Sequence, residues 1–547
     1  HQSEVQNVIA RASYETRRAL DYQRVLNAAL REPEGHLSES TRRRIQRAAE
    51  DLVDQLLLKD EAPLRGPLAG TSGFATVFPC SDEPPEASTL NYFAGTVTPN
   101  GTLAKLSDFT EVVAQSDAAL AVQPEDPVLW EKRLYAFSYH PDLPQEKIFA
   151  EFVRWGNRFP APQADFSRHD RTLRRRLRVG YVSPDFRQHT SRFYFLPFFA
   201  NHDHAVVEIF AYSNVKVEDG FTAQFKAVFD HWRDIRDLDD AAVAALVRSD
   251  AIDILVDGCN HMRDDRLGVF ALKPAPLQVT WLGAAWTTGL KAVDYVLFDS
   301  SIAPPQTLAR EAIVRLPHCF VPFQSMEQTD MPQPPPSLAN GYVTFAYSGR
   351  TERLNHHTFR VWGEILRRSP GAVLVLDFRT FADPLNREHF RALMARCGLD
   401  PERVVMRNSR NIFKALHDFD ILLDCFPHSG GTMLVDALWM GVPALTLASR
   451  PPLGRIGTTF VTNIGLPEWV AYSEEEYIDK ACVFAANTAM RVALRAGMRQ
   501  RMLQSPLMDG PGFARGVEAA YCAMWERFCA GQAPAPLTIS ATNGRAA

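Results

Sequence analysis

The 547-residue chain is 46% hydrophobic and 22% charged, with a net charge of −5. That balance suits a folded globular chain and excludes a global basic field for nucleic-acid binding. Its eight cysteines, at positions 80, 259, 319, 397, 425, 482, 522 and 529, form no Cys-x-x-Cys pair. Reduced thiols in a cytoplasmic setting are therefore expected, rather than a disulfide framework or a zinc site.

By length alone about three to four domains are expected. No apolar run approaches the ~20 residues of a membrane span, and the first residues are not expected to act as a secretory signal. Residues 1–60 carry apolar positions at spacings of three and four among Ala, Leu, Arg and Glu, which predicts helices. Residues 61–105 are punctuated by Pro and Gly, so an irregular stretch is expected. Helical patterns return over 109–122, 128–138 and 145–155, separated by Pro-containing turns. This set looks like one degenerate tetratricopeptide repeat, but no third copy at fixed period is present, so 1–160 reads as a helical domain. The run of arginines over 168–178 reads as a solvated linker face.

From Leu177 the pattern changes to apolar strands alternating with helices. Strands are predicted at 177–183, 208–213, 252–257, 278–282 and 295–298, with a helix at 241–247. A Pro-rich linker, 322–340, closes this first lobe, taken as 177–325. The alternation restarts with strands at 342–347, 373–378, 404–406, 420–424 and 444–447, and helices at 355–368, 385–397 and 411–417. Further helices follow at 474–490 and 491–503. This second lobe spans 341–505, followed by a C-terminal helix in 506–530. A Pro/Ala/Ser/Thr-rich tail, 531–547, is expected to be disordered. The fold class is therefore α/β, with two doubly wound parallel-sheet lobes behind an N-terminal all-α domain. Ligands in such sheets sit beyond the C-terminal strand ends.

The residues bearing chemistry fall at those ends. After the 420–424 strand comes Cys-Phe-Pro-His-Ser-Gly-Gly-Thr-Met-Leu-Val-Asp, residues 425–436. Gly430, Gly431 and Thr432 would open a helix whose free N–H groups suit a diphosphate, and Asp436 could accept from a ribose. Alone, the same turn serves equally as a plain strand-to-helix connection. In the second lobe, Arg350 and Arg353 follow a strand and a glycine turn, where they could clamp a diphosphate. In the first lobe, His189 follows the first strand and could take part in proton transfer. Gly283, Trp286 and Thr287 follow another strand and could line a sugar or acceptor pocket. Asp418-Phe419-Asp420 spells the Asp-x-Asp of metal-dependent sugar transferases, but it enters a strand rather than leaving one. It reads as structural, and no metal site is expected.

Three stretches together resemble the O-GlcNAc transferase-like family 41 glycosyltransferases. They are residues 177–186 with His189, residues 274–283, and residues 426–443. The resemblance covers roughly residues 150–505. It implies a GT-B fold and inverting, metal-independent transfer from a nucleotide sugar to protein, usually to Ser or Thr, with GlcNAc from UDP-GlcNAc the leading donor. No cofactor is implied beyond the nucleotide-sugar co-substrate, and the partners are that donor and a protein acceptor. By the resemblance His189 matches the active-site histidine, and Arg353 falls where the family places its donor-phosphate lysine. Thr432 with Gly430 and Gly431 matches the phosphate-binding helix start, and Asp436 the ribose-binding aspartate. Ile412 stands where the family has a base-stacking histidine, and Ala284-Ala285-Trp286 where relatives often have Tyr-Pro-Gly. Other donors and acceptors stay open: UDP-glucose to Asn, GDP-fucose to Ser/Thr, or a nonulosonic acid to flagellin. So does a non-catalytic nucleotide-sugar sensor.

Overall fold

A computed structural model describes residues 109–540, except Gln163 and residues 326–328. The helices expected over 1–60, the irregular stretch 61–105 and residues 541–547 lie outside the described residues. Three helices come first: α1 (Phe109–Val122), α2 (Pro127–Tyr139) and α3 (Gln145–Gly156). Asp126 caps α2 by accepting from the N–H groups of Val128 and Leu129, and Pro127 occupies the first helical position, where no N–H is needed.

The first lobe follows as β1 (Leu177–Ser183), α4 (Arg192–Phe199), β2 (Val207–Ser213), α5 (Gly220–Val228), β3 (His231–Asp234), α6 (Asp240–Ser249), β4 (Ile254–Asp257), α7 (Leu267–Ala271), β5 (Leu277–Thr280), β6 (Tyr295–Asp299) and β7 (Ala312–Leu316). The second lobe runs α8 (Ser337–Asn340), β8 (Thr344–Ser348), α9 (His356–Arg368), β9 (Val373–Asp377), α10 (Pro384–Arg396), β10 (Val404–Arg407), α11 (Ile412–Ala415), β11 (Ile421–Leu423), α12 (Thr432–Trp439), β12 (Ala444–Leu447), α13 (Ile456–Asn463), β13 (Val470–Ala471), α14 (Glu474–Ala486) and α15 (Thr488–Leu503). Then α16 (Gly510–Cys529) and β14 (Leu537–Thr538) return to the first lobe.

The first sheet has the order β14-β7-β6-β5-β4-β1-β2-β3 and the second β10-β9-β8-β11-β12-β13. The strand pairs are parallel. Helices therefore cover both faces, and the strands read as near-continuous apolar runs. In each sheet the order reverses beside the lobe's first strand, between β1 and β4 and between β8 and β11. Those are the switch points where a doubly wound sheet opens a crevice for ligands.

Several expectations are corrected. Residues 531–540 are not a disordered tail, because Leu537 and Thr538 pair with Val314 and Arg315 at the free edge of β7. The helix predicted over 474–490 ends at Ala486; Asn487 breaks it and caps α15 by accepting from the Met490 N–H. The predicted 411–417 helix shrinks to Ile412–Ala415. Two strands had no forecast in the first lobe, β3 and β7, and one in the second, β13.

Helix α3 is built onto the first lobe. A Cβ on Gly156 would fall 1.7 Å from the Gly289 carbonyl oxygen, so only glycine permits that approach. Phe152 and Trp155 pack edge-on against His261, with ring centroids 5.0 and 4.4 Å away, and His261 Nε2 lies 2.8 Å from the Thr288 carbonyl. Burial pulls the His261 pKa down to about 4. Below pH 6.5 the unfolded chain then takes a proton that the folded chain refuses until about pH 4. This contribution to stability is full above pH 6.5 and lost as pH falls towards 4. Replacing His261 with Gln keeps a donor for Thr288 without titrating. In urea titrations at several pH values, the stability of the wild type relative to His261→Gln should fall as pH drops through that window. A constant difference would contradict the burial of His261 as its neutral form.

Candidate functional site

The turn at residues 425–431 is held from below by Asp424. Its Oδ1 accepts the N–H groups of Gly430 (2.7 Å) and Cys425 (2.9 Å). Its Oδ2 accepts the hydroxyls of Ser429 (2.5 Å) and Thr446 (2.8 Å). Ser429 in turn accepts the Gly457 N–H at 2.8 Å. Asp424 is buried, which raises its pKa against the bonds from Ser429, Gly430 and Thr446 and the nearby charge of Arg353. Sequence reading passed it over as the last residue of a strand. Its signal was an acidic residue at a strand end, five residues before a Ser-Gly-Gly turn.

Gly431 precedes α12, and Thr432 is its first residue. The N–H groups of Thr432 and Met433 have no acceptor within the helix, and the positive end of its dipole lies there. Asp436 is one turn further in and buried. Beside this turn, Arg350 precedes and Arg353 ends the short 3-10 helix Thr351–Arg353 after β8. Asn355 ties the two loops together: its Nδ2 donates to the carbonyls of Arg353 (3.0 Å) and Phe426 (2.7 Å), and its Oδ1 caps α9. The structure thus brings Arg350, Arg353, Gly430, Gly431, Thr432 and Asp436 to one switch point.

Arg353 Nε donates to His428 Nδ1 at 3.2 Å. The same Nδ1 also lies 3.2 Å from the Ser429 carbonyl oxygen. His428 stays neutral, its pKa pushed well down by burial and by the charge of Arg353. Tyr139, at the end of α2, stacks on His428 with centroids 4.2 Å apart and planes 16° apart, and the Arg353 guanidinium lies 5.9 Å from the Tyr139 ring. The helical hairpin therefore positions the arginine. Tyr139→Phe should preserve this positioning. Tyr139→Ala should raise the dissociation constant of a diphosphate ligand several-fold, as calorimetry would show, and equal affinity would deny the ring that role.

His189 follows β1 at the other switch point. Its Nδ1 lies 2.9 Å from Ser191 Oγ and 3.2 Å from Asp185 Oδ2. Burial lowers its pKa; Asp185 opposes this, while Arg187, Arg350 and Arg192 add to it. The imidazole is neutral near pH 7, and its Nδ1 faces both the Asp185 carboxylate and the Ser191 backbone N–H, which points at it from 3.3 Å. The two lobes meet through Tyr194, whose hydroxyl lies 3.0 Å from Thr432 Oγ1.

The first-lobe pocket residues are placed differently from expectation. Trp286 is fully buried, gives its indole N–H to the Leu308 carbonyl (2.8 Å) and packs 5.6 Å from Phe152. Thr287 is buried too, and its hydroxyl donates to Glu311 (2.6 Å). These two support the loop from inside and do not line an open pocket. Gly283 is exposed, at φ +61°, and a Cβ there would fall 2.0 Å from the Cys259 carbonyl oxygen. It is required by the close passage of two strand-end loops. The Asp-x-Asp spelling is spent on structure. Asp420 accepts from Ser337 Oγ (2.6 Å) and the Thr344 N–H (2.9 Å), and Asp418 pairs with Arg407 (2.9 Å).

Among the described residues no helix is long and apolar enough to cross a membrane. The model of glycosyl transferase family 41 matches residues 158–322 and 337–517. A rice (Oryza sativa subsp. japonica) protein named probable UDP-N-acetylglucosamine–peptide N-acetylglucosaminyltransferase SPINDLY is 34% identical, over 77% of this chain and 46% of its own length. The Arabidopsis thaliana protein named SEC, also a probable UDP-N-acetylglucosamine–peptide N-acetylglucosaminyltransferase, is 29% identical over 66% of this chain and 38% of its own. The chain spans about half the length of the curated relatives it matches, or less. Among solved structures, a lysine-to-methionine mutant of Thermobaculum terrenum O-GlcNAc transferase superposes with a TM-score of 0.74 at 30% identity, covering 82% of this chain and 86% of that one. The two reversing parallel sheets and the matched segments agree: this chain belongs to glycosyltransferase family 41.

Proposed function

We propose that the chain transfers a sugar, GlcNAc from UDP-GlcNAc as the leading donor, onto Ser or Thr of a protein, with inversion and without a metal. The observation that supports this reading is that Arg350, Arg353 and the α12 start at Thr432 follow β8 and β11 at one switch point, with Tyr194 of the first lobe 3.0 Å from Thr432 Oγ1. The names of the relatives support the donor and the acceptor class. As the glycosidic bond to the donor breaks, negative charge grows on the leaving diphosphate. Arg353, Arg350 and the first-turn N–H groups of α12 are fixed in advance to stabilise it. These cations and dipoles supply what a divalent ion supplies in Asp-x-Asp enzymes, and Asp418 and Asp420 are already engaged. Asp436 would hold the ribose. Neutral His189 orients the acceptor hydroxyl or takes its proton. A cytoplasmic setting fits the absence of any Cys-x-x-Cys pair from the sequence.

Ile412 in place of a base-stacking imidazole favours testing other nucleobases directly. A thermal-shift screen over UDP-, GDP- and CMP-sugars does so, because a ligand of the folded state raises the midpoint by mass action. UDP-GlcNAc should give the largest rise. A rise with a GDP- or CMP-sugar and none with UDP-GlcNAc would replace the donor, and binding without any donor turnover would favour the sensor.

A further inference from the structure

We propose that Asp142, His356 and His357 form a site for a divalent transition-metal ion of the zinc type, which staples the helical hairpin to the second lobe. The hairpin spans the cleft. Helix α3 is seated on the first lobe through Gly156, Phe152 and Trp155. The loop before α3 reaches the second lobe, where Arg450 donates to the carbonyls of Ser138 (3.0 Å), His140 (3.2 Å) and Leu143 (2.6 Å). At the tip of that loop, Asp142 Oδ1 lies 3.0 Å from His356 Nε2 and 2.9 Å from His357 Nε2. The three ligand atoms all lie within 4.8 Å of one another.

A tetrahedral ion with bonds of about 2.0–2.1 Å holds its ligand atoms roughly 3.3 Å apart. The two separations from Asp142 Oδ1, 3.0 and 2.9 Å, differ from that by a few tenths of an ångström, within reach of small side-chain rotations. Without an ion, one carboxylate oxygen must accept two imidazole N–H groups at once. An ion replaces both protons and uses both Nε2 lone pairs. Two imidazoles and one carboxylate suit zinc or another first-row ion, whereas magnesium and calcium prefer all-oxygen sets. The ligands are pre-positioned. His356 and His357 are the first residues of α9, whose cap Asn355 is bonded to Phe426. The other ring nitrogen of His357, Nδ1, lies 4.0 Å from Glu474 Oε1, beyond hydrogen-bond distance, and Glu474 itself pairs with Arg360 at 2.5 Å. All three ligands are partly exposed, with His356 47% and Asp142 50% open, so the ion has an entry path and water can complete its shell.

The site lies away from the reacting groups but is continuous with them. Arg353 is two residues before Asn355, and Tyr139 is three residues before Asp142. A bound ion would therefore tie the first lobe, through α3, to the loop that carries the phosphate-binding arginine. The test is calorimetric titration of the full chain, stripped of metal, with zinc chloride. The wild type should bind an ion that His356→Gln/His357→Gln loses, with affinity down by at least about tenfold, and Asp142→Asn should lose affinity likewise. Thermal midpoints in EDTA should match across the variants, since the side chains are partly exposed, and zinc should raise only that of the wild type. Equal zinc affinity and stoichiometry in the wild type and both variants, or no binding by the wild type, would overturn the proposal. The readout is ion binding, so its outcome is independent of which sugar, if any, the chain transfers.

Discussion

Arg353→Ala should lower sugar transfer by about 10²–10³-fold while leaving the fold intact, because it removes a fixed charge aimed at the leaving group. Among the described residues the side chain makes one hydrogen bond, to His428, and one ring contact, to Tyr139. Its loss should cost about 1 kcal/mol of stability or less. Circular dichroism and a melting curve will separate the two effects. Arg353→Lys should recover part of the activity, since it restores a positive charge, but with one point donor in place of a fork. Wild-type turnover in Arg353→Ala would remove this residue from the site. A matching loss of stability would reduce it to a structural role.

Asp424→Ala should destabilise the second lobe by about 3 kcal/mol or more, because it strands two N–H groups and two hydroxyls in a buried place. The turn at residues 425–431 should lose its shape with it, and on the proposed function donor affinity falls as well. Asp424→Asn is milder, since Oδ1 can still accept the two N–H groups and the hydroxyls of Ser429 and Thr446 can rotate. Burial raises the Asp424 pKa above its ordinary 3.8. The folded state then holds this proton more tightly than the unfolded state, so stability falls as pH rises from 3.8 through the raised value. The Asn variant lacks this term. Denaturant titrations at several pH values should show the wild type losing ground to Asp424→Asn as pH rises across that interval. A constant difference would mean that Asp424 titrates normally.

The donor side of this site was legible in the sequence because its parts are local. Strand β11, the Ser-Gly-Gly turn and α12 are consecutive, and Arg350 and Arg353 follow their own strand and glycine within six residues. Alternating apolar strands and helices likewise announced two parallel sheets. Edge elements were not legible. Strand β3, His-Trp-Arg-Asp, is half-exposed and has no apolar pattern, and β14 is two residues whose order comes from pairing with a distant strand. Trp286 misled because a sequence gives the size of a side chain but not its direction; here the ring turns inward to Phe152 and Leu308. Tyr139 could not be placed at all, since its stack on His428 joins segments far apart in the chain. Asp424 was visible but unread, because its role lies in holding the turn and not in touching a ligand.

The central claim, protein-directed transfer from a nucleotide sugar through the Arg353–Thr432 turn, is tested most directly by radiolabelled UDP-GlcNAc incubated with the full chain and a cell lysate. Label should appear on protein and stay on Ser- and Thr-containing peptides after digestion. It should be lost together with UDP release in Arg353→Ala. Equal labelling by wild type and Arg353→Ala, or release of UDP with no label on protein, would contradict it.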